Sequence, residues 1–170
     1  MEKFIPKALA KEAETEWQLW EKSIEQQEDK AETAPNEPTP FLRWTAPVYN
    51  TYKANWDVSV KPVSRHFGVG IIVRDYMGQV CAASCLAFEG RPDPTVAEAM
   101  GALCAVEFCR DLGLKNIMSW RMEHVRRAAN EAAHGLARAA EITGVDRIWM
   151  EEVPEVVHDI VVLEQFALIV

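Results

Sequence analysis

Apolar and polar residues alternate from Tyr52 to Val60, with Tyr52, Ala54, Trp56, Val58 and Val60 on one face and Lys53, Asn55, Asp57 and Ser59 on the other. A period of two marks a strand with unlike faces and puts Asp57 on the polar one. Two further β-type runs, Phe67 to Arg74 and Gln79 to Phe88, are joined by Asp75-Tyr76-Met77-Gly78, whose Asp and Gly suit a tight reversal, so an antiparallel hairpin is predicted. From Thr95 to Leu112 the apolar positions Val96, Met100, Leu103, Val106 and Phe108 follow Asp93-Pro94 and stop at Gly113, a helix with punctuation at both ends. Asn116 to Val125 reads as another strand, crossed by charge, and Ala128 to Glu141 as an alanine-rich helix ending at Gly144. The order predicts an α/β domain with a mixed sheet, an antiparallel hairpin followed by strand and helix units.

Upstream, Leu9, Ala13, Trp17, Trp20 and Ile24 recur at intervals of three and four within residues 7 to 32, with Glu and Lys between them, which predicts an amphipathic helix. Pro35, Pro38, Pro40 and Pro47 then mark an extended linker. The expected organisation is therefore an acidic helix and linker over 1–44, one domain over 45–154, and an apolar tail over 155–170 that forms a short helix with nothing to decide its docking. With 170 residues, 49% of them hydrophobic, the chain has enough material for one real core. No apolar run approaches the roughly 20 residues needed to cross a bilayer. Met1-Glu2-Lys3-Phe4 lacks the basic and apolar regions of a secretory signal. A soluble, intracellular protein is expected, in nucleus or cytoplasm. Cys81, Cys85, Cys104 and Cys109 have no C-x-x-C spacing and sit among Ala, Val, Leu and Phe, so they read as reduced, buried packing residues and not as zinc ligands.

A net charge of -8 argues against a polyanionic partner until its distribution is considered. Residues 1–50 carry six basic against ten acidic side chains and residues 146–170 one against six, whereas residues 51–145 carry eleven against ten. The acidity lies at the two ends, and a near-neutral middle can meet phosphate if its charges are sorted by face.

Several motifs in order resemble one family. They are Asn55-Trp56-Asp57-x-Ser59, then Gly68-Val69-Gly70-Ile71-Ile72-Val73-Arg74-Asp75 running into Gly78-Gln79-Val80, then Ala97-Glu98-Ala99 at a helix start and Gly113-Leu114-Lys115-Asn116-Ile117. Trp120-Arg121-Met122-Glu123-His124-Val125 and Asn130-x-x-Ala133-His134-Gly135-Leu136-Ala137 follow. Together, over roughly Arg43 to Pro154, they resemble the plant reverse-transcriptase-like, retrotransposon-derived branch of the type 1 ribonuclease H family. The resemblance implies a three-layer ribonuclease H-like fold and endonucleolytic hydrolysis of the RNA strand of RNA/DNA hybrids by two Mg2+ ions held between four carboxylates. Hard cations want oxygen ligands, and a pair of them steadies both the attacking and the leaving oxygen.

Asp57 corresponds to the family's first-strand aspartate and Glu98 to its helix glutamate, which makes them the implied catalytic and metal-binding residues. The pattern then breaks. Ile117-Met118 runs almost directly into Ser119-Trp120, where the family continues along a central strand to a third carboxylate and through further helices, so the resemblance implies an internal deletion. His134 stands at the position of the fourth carboxylate, as an alternative metal ligand or proton shuttle. Asn55, Asn130, Arg126 and Arg127 are the implied nucleic-acid contacts. Each has a plainer counterpart: Asp57 as a solvated strand residue, Glu98 closing a capping box with Thr95, His134 on a helix surface, the arginines in a solvated loop. Met122 falls where the missing aspartate belongs, and Glu123 beside it faces the opposite side of a strand, so it does not restore the set. The sequence reading is a ribonuclease H-like domain whose turnover is weakened or lost. Its rival is a non-catalytic interaction or remnant protein, a shortened splice or gene-model product, that self-associates through surface the deletion uncovers.

Overall fold

The computed structural model describes residues 43–114 and 127–168. The expected helix within 7–32, most of the linker, the strand from Asn116 to Val125, and Arg126 lie outside them. Among the described residues four strands form one sheet in the order β1-β2-β3-β4: β1 (Tyr52–Ser59), β2 (His66–Asp75), β3 (Val80–Glu89) and β4 (Arg147–Met150). Among the described residues three α-helices accompany them: α1 (Pro94–Asp111), α2 (Glu131–Thr143) and α3 (His158–Phe166). No helix there is long and apolar enough to cross a membrane.

The β2–β3 reversal forms as its residues require. Asp75 Oδ1 accepts from the Met77 and Gln79 amides, each at 2.9 Å, and Gly78 takes φ +79°, a left-handed conformation open to glycine at no steric cost. All the pairings among the described residues are antiparallel. The mixed sheet expected from the sequence needs a parallel partner, and the strand that would supply it falls outside the described residues.

Alternation along β2 divides the core in two. Phe67, Val69, Ile71 and Val73 pack with Ala54, Trp56 and Val58 of β1 and with Ala97, Cys104, Ala105 and Cys109 of α1. On the opposite face Ile72, Ala83 and Cys85 pack with Ala132, Ala133, Leu136 and Ala140 of α2. The result is three layers, helix on sheet on helix, an α/β architecture compatible with the ribonuclease H-like fold. The cysteines are free, three of them buried, and burial pushes the Cys109 thiol up to about 11, which suits a packing role.

Residues on both sides of the expected domain 45–154 pack against it. Trp44, placed in the linker by the sequence, is buried; its indole Nε1 donates to Asn55 Oδ1 at 2.8 Å. The tail beyond Pro154 joins the same core through Val157 and Val161. An ion pair adds to this contact: Glu164 of α3 pairs with the buried Arg74 at the end of β2. The Arg74 guanidinium also lies 3.7 Å from the centre of the Trp44 ring. Strand β4 was not foreseen. It is four residues long and continues the sheet beyond β3, with the Asp146 carboxylate accepting from the Ala87 amide at 2.8 Å just before it.

Candidate functional site

The polar face of β1 is covered by α2. Asn55, Asp57 and Ser59 stand opposite Ile72, Gly70 and Gly68 of β2, and the two glycines let the helix backbone lie directly on the sheet. A Cβ at Gly70 would fall 2.2 Å from the Ala133 carbonyl oxygen, and one at Gly68 1.9 Å from that of Ala137. Neither distance is compatible with a side chain. This close approach turns the polar row of β1 into a seam. At one end the Asn130 amide donates to the Trp56 carbonyl at 2.8 Å. At the other the Ser59 hydroxyl donates to buried Glu141 at 3.1 Å, and Lys61 reaches the same carboxylate at 3.0 Å. Burial alone would push Glu141 up, but hydrogen bonds from Lys61, Ser59 and Ser64 hold it below its ordinary value.

Midway along the seam His134 Nδ1 lies 2.6 Å from Asp57 Oδ2. Arg127, in the 3-10 turn Arg127–Ala129 that leads into α2, places Nη2 2.7 Å from His134 Nε2 and 3.2 Å from Nδ1. The partners assign the tautomer: the carboxylate only accepts and the guanidinium only donates, so Nδ1–H donates to Asp57 and Nε2 accepts from Arg127. Asp57 and His134 keep side-chain exposures of 21% and 23%, enough to meet a ligand at the surface.

Glu98 arrives from the other layer. The expected capping box does not form: the cap of α1 is Asp93, whose Oδ1 accepts from the Thr95 amide at 3.0 Å, with Pro94 beginning the helix. Glu98 is left beside Asp57, and burial together with the Asp57 charge pushes its carboxyl up to about 7. Asp57 and His134 are thus in contact at one end of β1, with Glu98 close enough for the Asp57 charge to act on it.

The implied magnesium ions do not fit this donor set. Each needs several oxygen ligands. Here one Asp57 oxygen is taken by His134, both imidazole nitrogens face protein partners, and a permanently charged guanidinium shares the cluster. Among the described residues no group of three or more His, Cys, Asp or Glu is arranged to hold a metal.

Of the expected nucleic-acid contacts, Arg127 is exposed beside the cluster. Asn55 is 4% exposed, its Oδ1 accepting from Trp44 at 2.8 Å and from Arg74 at 3.2 Å, so it braces the fold from inside. Asn130 is turned to the β1 backbone. Sequence reasoning missed Arg74, Glu164 and the covering of the β1 polar face. Isolated glycines within a strand, Gly68 and Gly70, were the available signal of close backbone approach.

The fold is an α/β domain compatible with ribonuclease H-like architecture, with Asp57, His134 and Arg127 joined at its surface. Residues 55–120, less than half of the chain, match a family described as reverse transcriptase-like, which supports the ribonuclease H-like family. No curated protein and no solved structure matches the chain.

Proposed function

We propose that this chain is a ribonuclease H-like nucleic-acid-binding domain, of the plant retrotransposon-derived kind, in which hybrid hydrolysis is weakened or lost. The observation that carries the reading is the contact of Asp57 with His134 beside Glu98 at the end of β1, with Asp57 and Glu98 inside the stretch 55–120 that is similar to reverse transcriptase-like domains. Turnover by two metals needs both ions held firmly, and the cluster offers one carboxylate tied to imidazole and a second with a raised pKa. The match stops at residue 120, next to the Ile117-Met118-Ser119-Trp120 junction where the internal deletion is proposed. The near-neutral middle of the chain implies modest, salt-sensitive affinity.

The test titrates Mg2+ into the purified chain with a labelled RNA/DNA hybrid, beside Asp57→Asn, following binding and cleavage together. Binding at low salt without cleavage is expected. Mg2+-dependent cleavage lost in Asp57→Asn would restore the enzyme reading, and no binding at low salt would remove the nucleic-acid one.

A second reading, self-association, is favoured by β4. Ile148 and Met150 are 62% and 57% exposed on a strand whose outer edge pairs with no other described strand. Concentration-dependent sedimentation that is abolished in Ile148→Lys would establish it; a monomer at all concentrations would end it.

A further inference from the structure

The Asp57–His134–Arg127 chain is built from both ends. Asp57 is fixed on β1 opposite Gly70, and His134 is fixed on α2, which the glycines allow to lie against the sheet. Their hydrogen bond closes at 2.6 Å, and the ring presents its remaining nitrogen to Arg127 at 2.7 Å. A carboxylate that in a two-metal site would face a cation here faces an imidazole whose far side carries a guanidinium. The positive charge is supplied by the chain itself.

Among the described residues Arg127 spends little of its hydrogen-bonding capacity: of the five N–H donors of a guanidinium, those of Nη2 meet the His134 ring, and the residue is exposed. Its planar fork matches two oxygens of a phosphate, and it keeps its charge at any physiological pH. Holding it against a ring that is itself held lowers the ordering cost of binding. The start of α2 adds to the field: Asn130 makes no side-chain cap, its amide being used on Trp56, so the positive end of a 13-residue helix adjoins Arg127. Glu131 is the acidic side chain in that first turn, and it is exposed.

We propose that the Asp57–His134–Arg127 chain stands in for divalent metal, and that Arg127 binds a backbone phosphate of nucleic acid without a metal ion. The inference rests on the nucleic-acid reading above and specifies how its site works. His134 is a positioning residue in this scheme: it orients the arginine and screens Asp57 from the incoming phosphate.

The experiment measures equilibrium binding of a labelled RNA/DNA hybrid to the full chain at several salt concentrations, in EDTA and in Mg2+. It compares the unmodified protein with Arg127→Ala, Arg127→Lys and His134→Ala. Affinity in EDTA equal to that in Mg2+ is expected. Arg127→Ala should weaken binding about tenfold and make the salt dependence shallower by about one unit of log-log slope, the signature of one lost phosphate contact. Arg127→Lys should retain the slope and lose part of the affinity, and His134→Ala should weaken binding less than Arg127→Ala while keeping the slope. A thermal melt of each variant confirms folding, which exposed Arg127 does not support. Calorimetric titration with Mn2+ alone supplies the second arm: His134→Asp should bind the ion at least tenfold more tightly than the unmodified chain. Binding that disappears in EDTA, an unchanged slope in Arg127→Ala, or equal Mn2+ affinity in the two proteins would each overturn the inference while leaving nucleic-acid binding intact. Absence of hybrid binding by the unmodified chain under all conditions would overturn both.

Discussion

Glu98 is a part-buried carboxyl whose surroundings disfavour its charged form. Its pKa of about 7 means that the folded chain holds a proton there between roughly pH 4.5 and 7 that the unfolded chain has released. The native state binds more protons in that window, so this carboxyl's contribution to stability is complete below pH 4.5 and is lost as pH rises through 7. Replacing it by a neutral isostere removes the loss. Glu98→Gln should raise the melting temperature at pH 8 and change it little at pH 4.5, a gain on the order of 1 kcal/mol after allowance for solvent screening. Equal shifts at both pH values would mean that the side chain acts through packing. The residue was legible from its motif, but its freedom was not. Thr95 three positions earlier advertises a capping box, and only the position of Asp93 as the true cap shows that Glu98 is unoccupied by that duty.

At the scale of elements, the glycines of β2 decide where α2 can lie, and through it whether His134 reaches Asp57. Gly70→Ala would drive a methyl group into the Ala133 carbonyl and the Ala137 amide, at 2.2 and 2.3 Å, both of them backbone and unable to swing away. A loss on the order of 3–5 kcal/mol in urea unfolding is expected, with the His134 ring released from Asp57. Loss of less than about 1 kcal/mol would show that the helix can slide at little cost. The periodic elements were readable from local pattern because their signals are local: alternation for β1, the Asp75–Gly78 turn for the hairpin, the Gly144 stop, which takes φ +63° as a left-handed helix cap, for α2. Strand β4 escaped because Arg147-Ile148-Trp149-Met150 is too short for a period of two to declare itself, and it owes its conformation to the edge of β3. The polar row Asn55, Asp57, Ser59 misled in another way. It reads as a solvent face, whereas Asp57 and Ser59 meet His134 and Glu141 of α2, more than seventy residues ahead, and Asn55 meets Trp44 and Arg74.

For the molecule as a whole, the last helix closes the fold on a single buried charge. Arg74 is 1% exposed and, although burial works against its charge, Glu164 sustains it; burial in turn holds the Glu164 carboxyl above its ordinary value despite the arginine. Removing one partner leaves the other stranded, so Glu164→Ala should cost about 3–5 kcal/mol, while Arg74→Met combined with Glu164→Leu should cost much less. Equal losses in the single and double variants would assign the effect to packing of α3.

The two halves of that ion pair are 90 residues apart along the chain. At a synthesis rate of roughly 5–20 residues per second, Glu164 follows Arg74 out of the ribosome's catalytic centre by on the order of 5–20 s. During that delay the meander of β1 to β3 carries at its end a guanidinium whose partner on α3 has not yet been made.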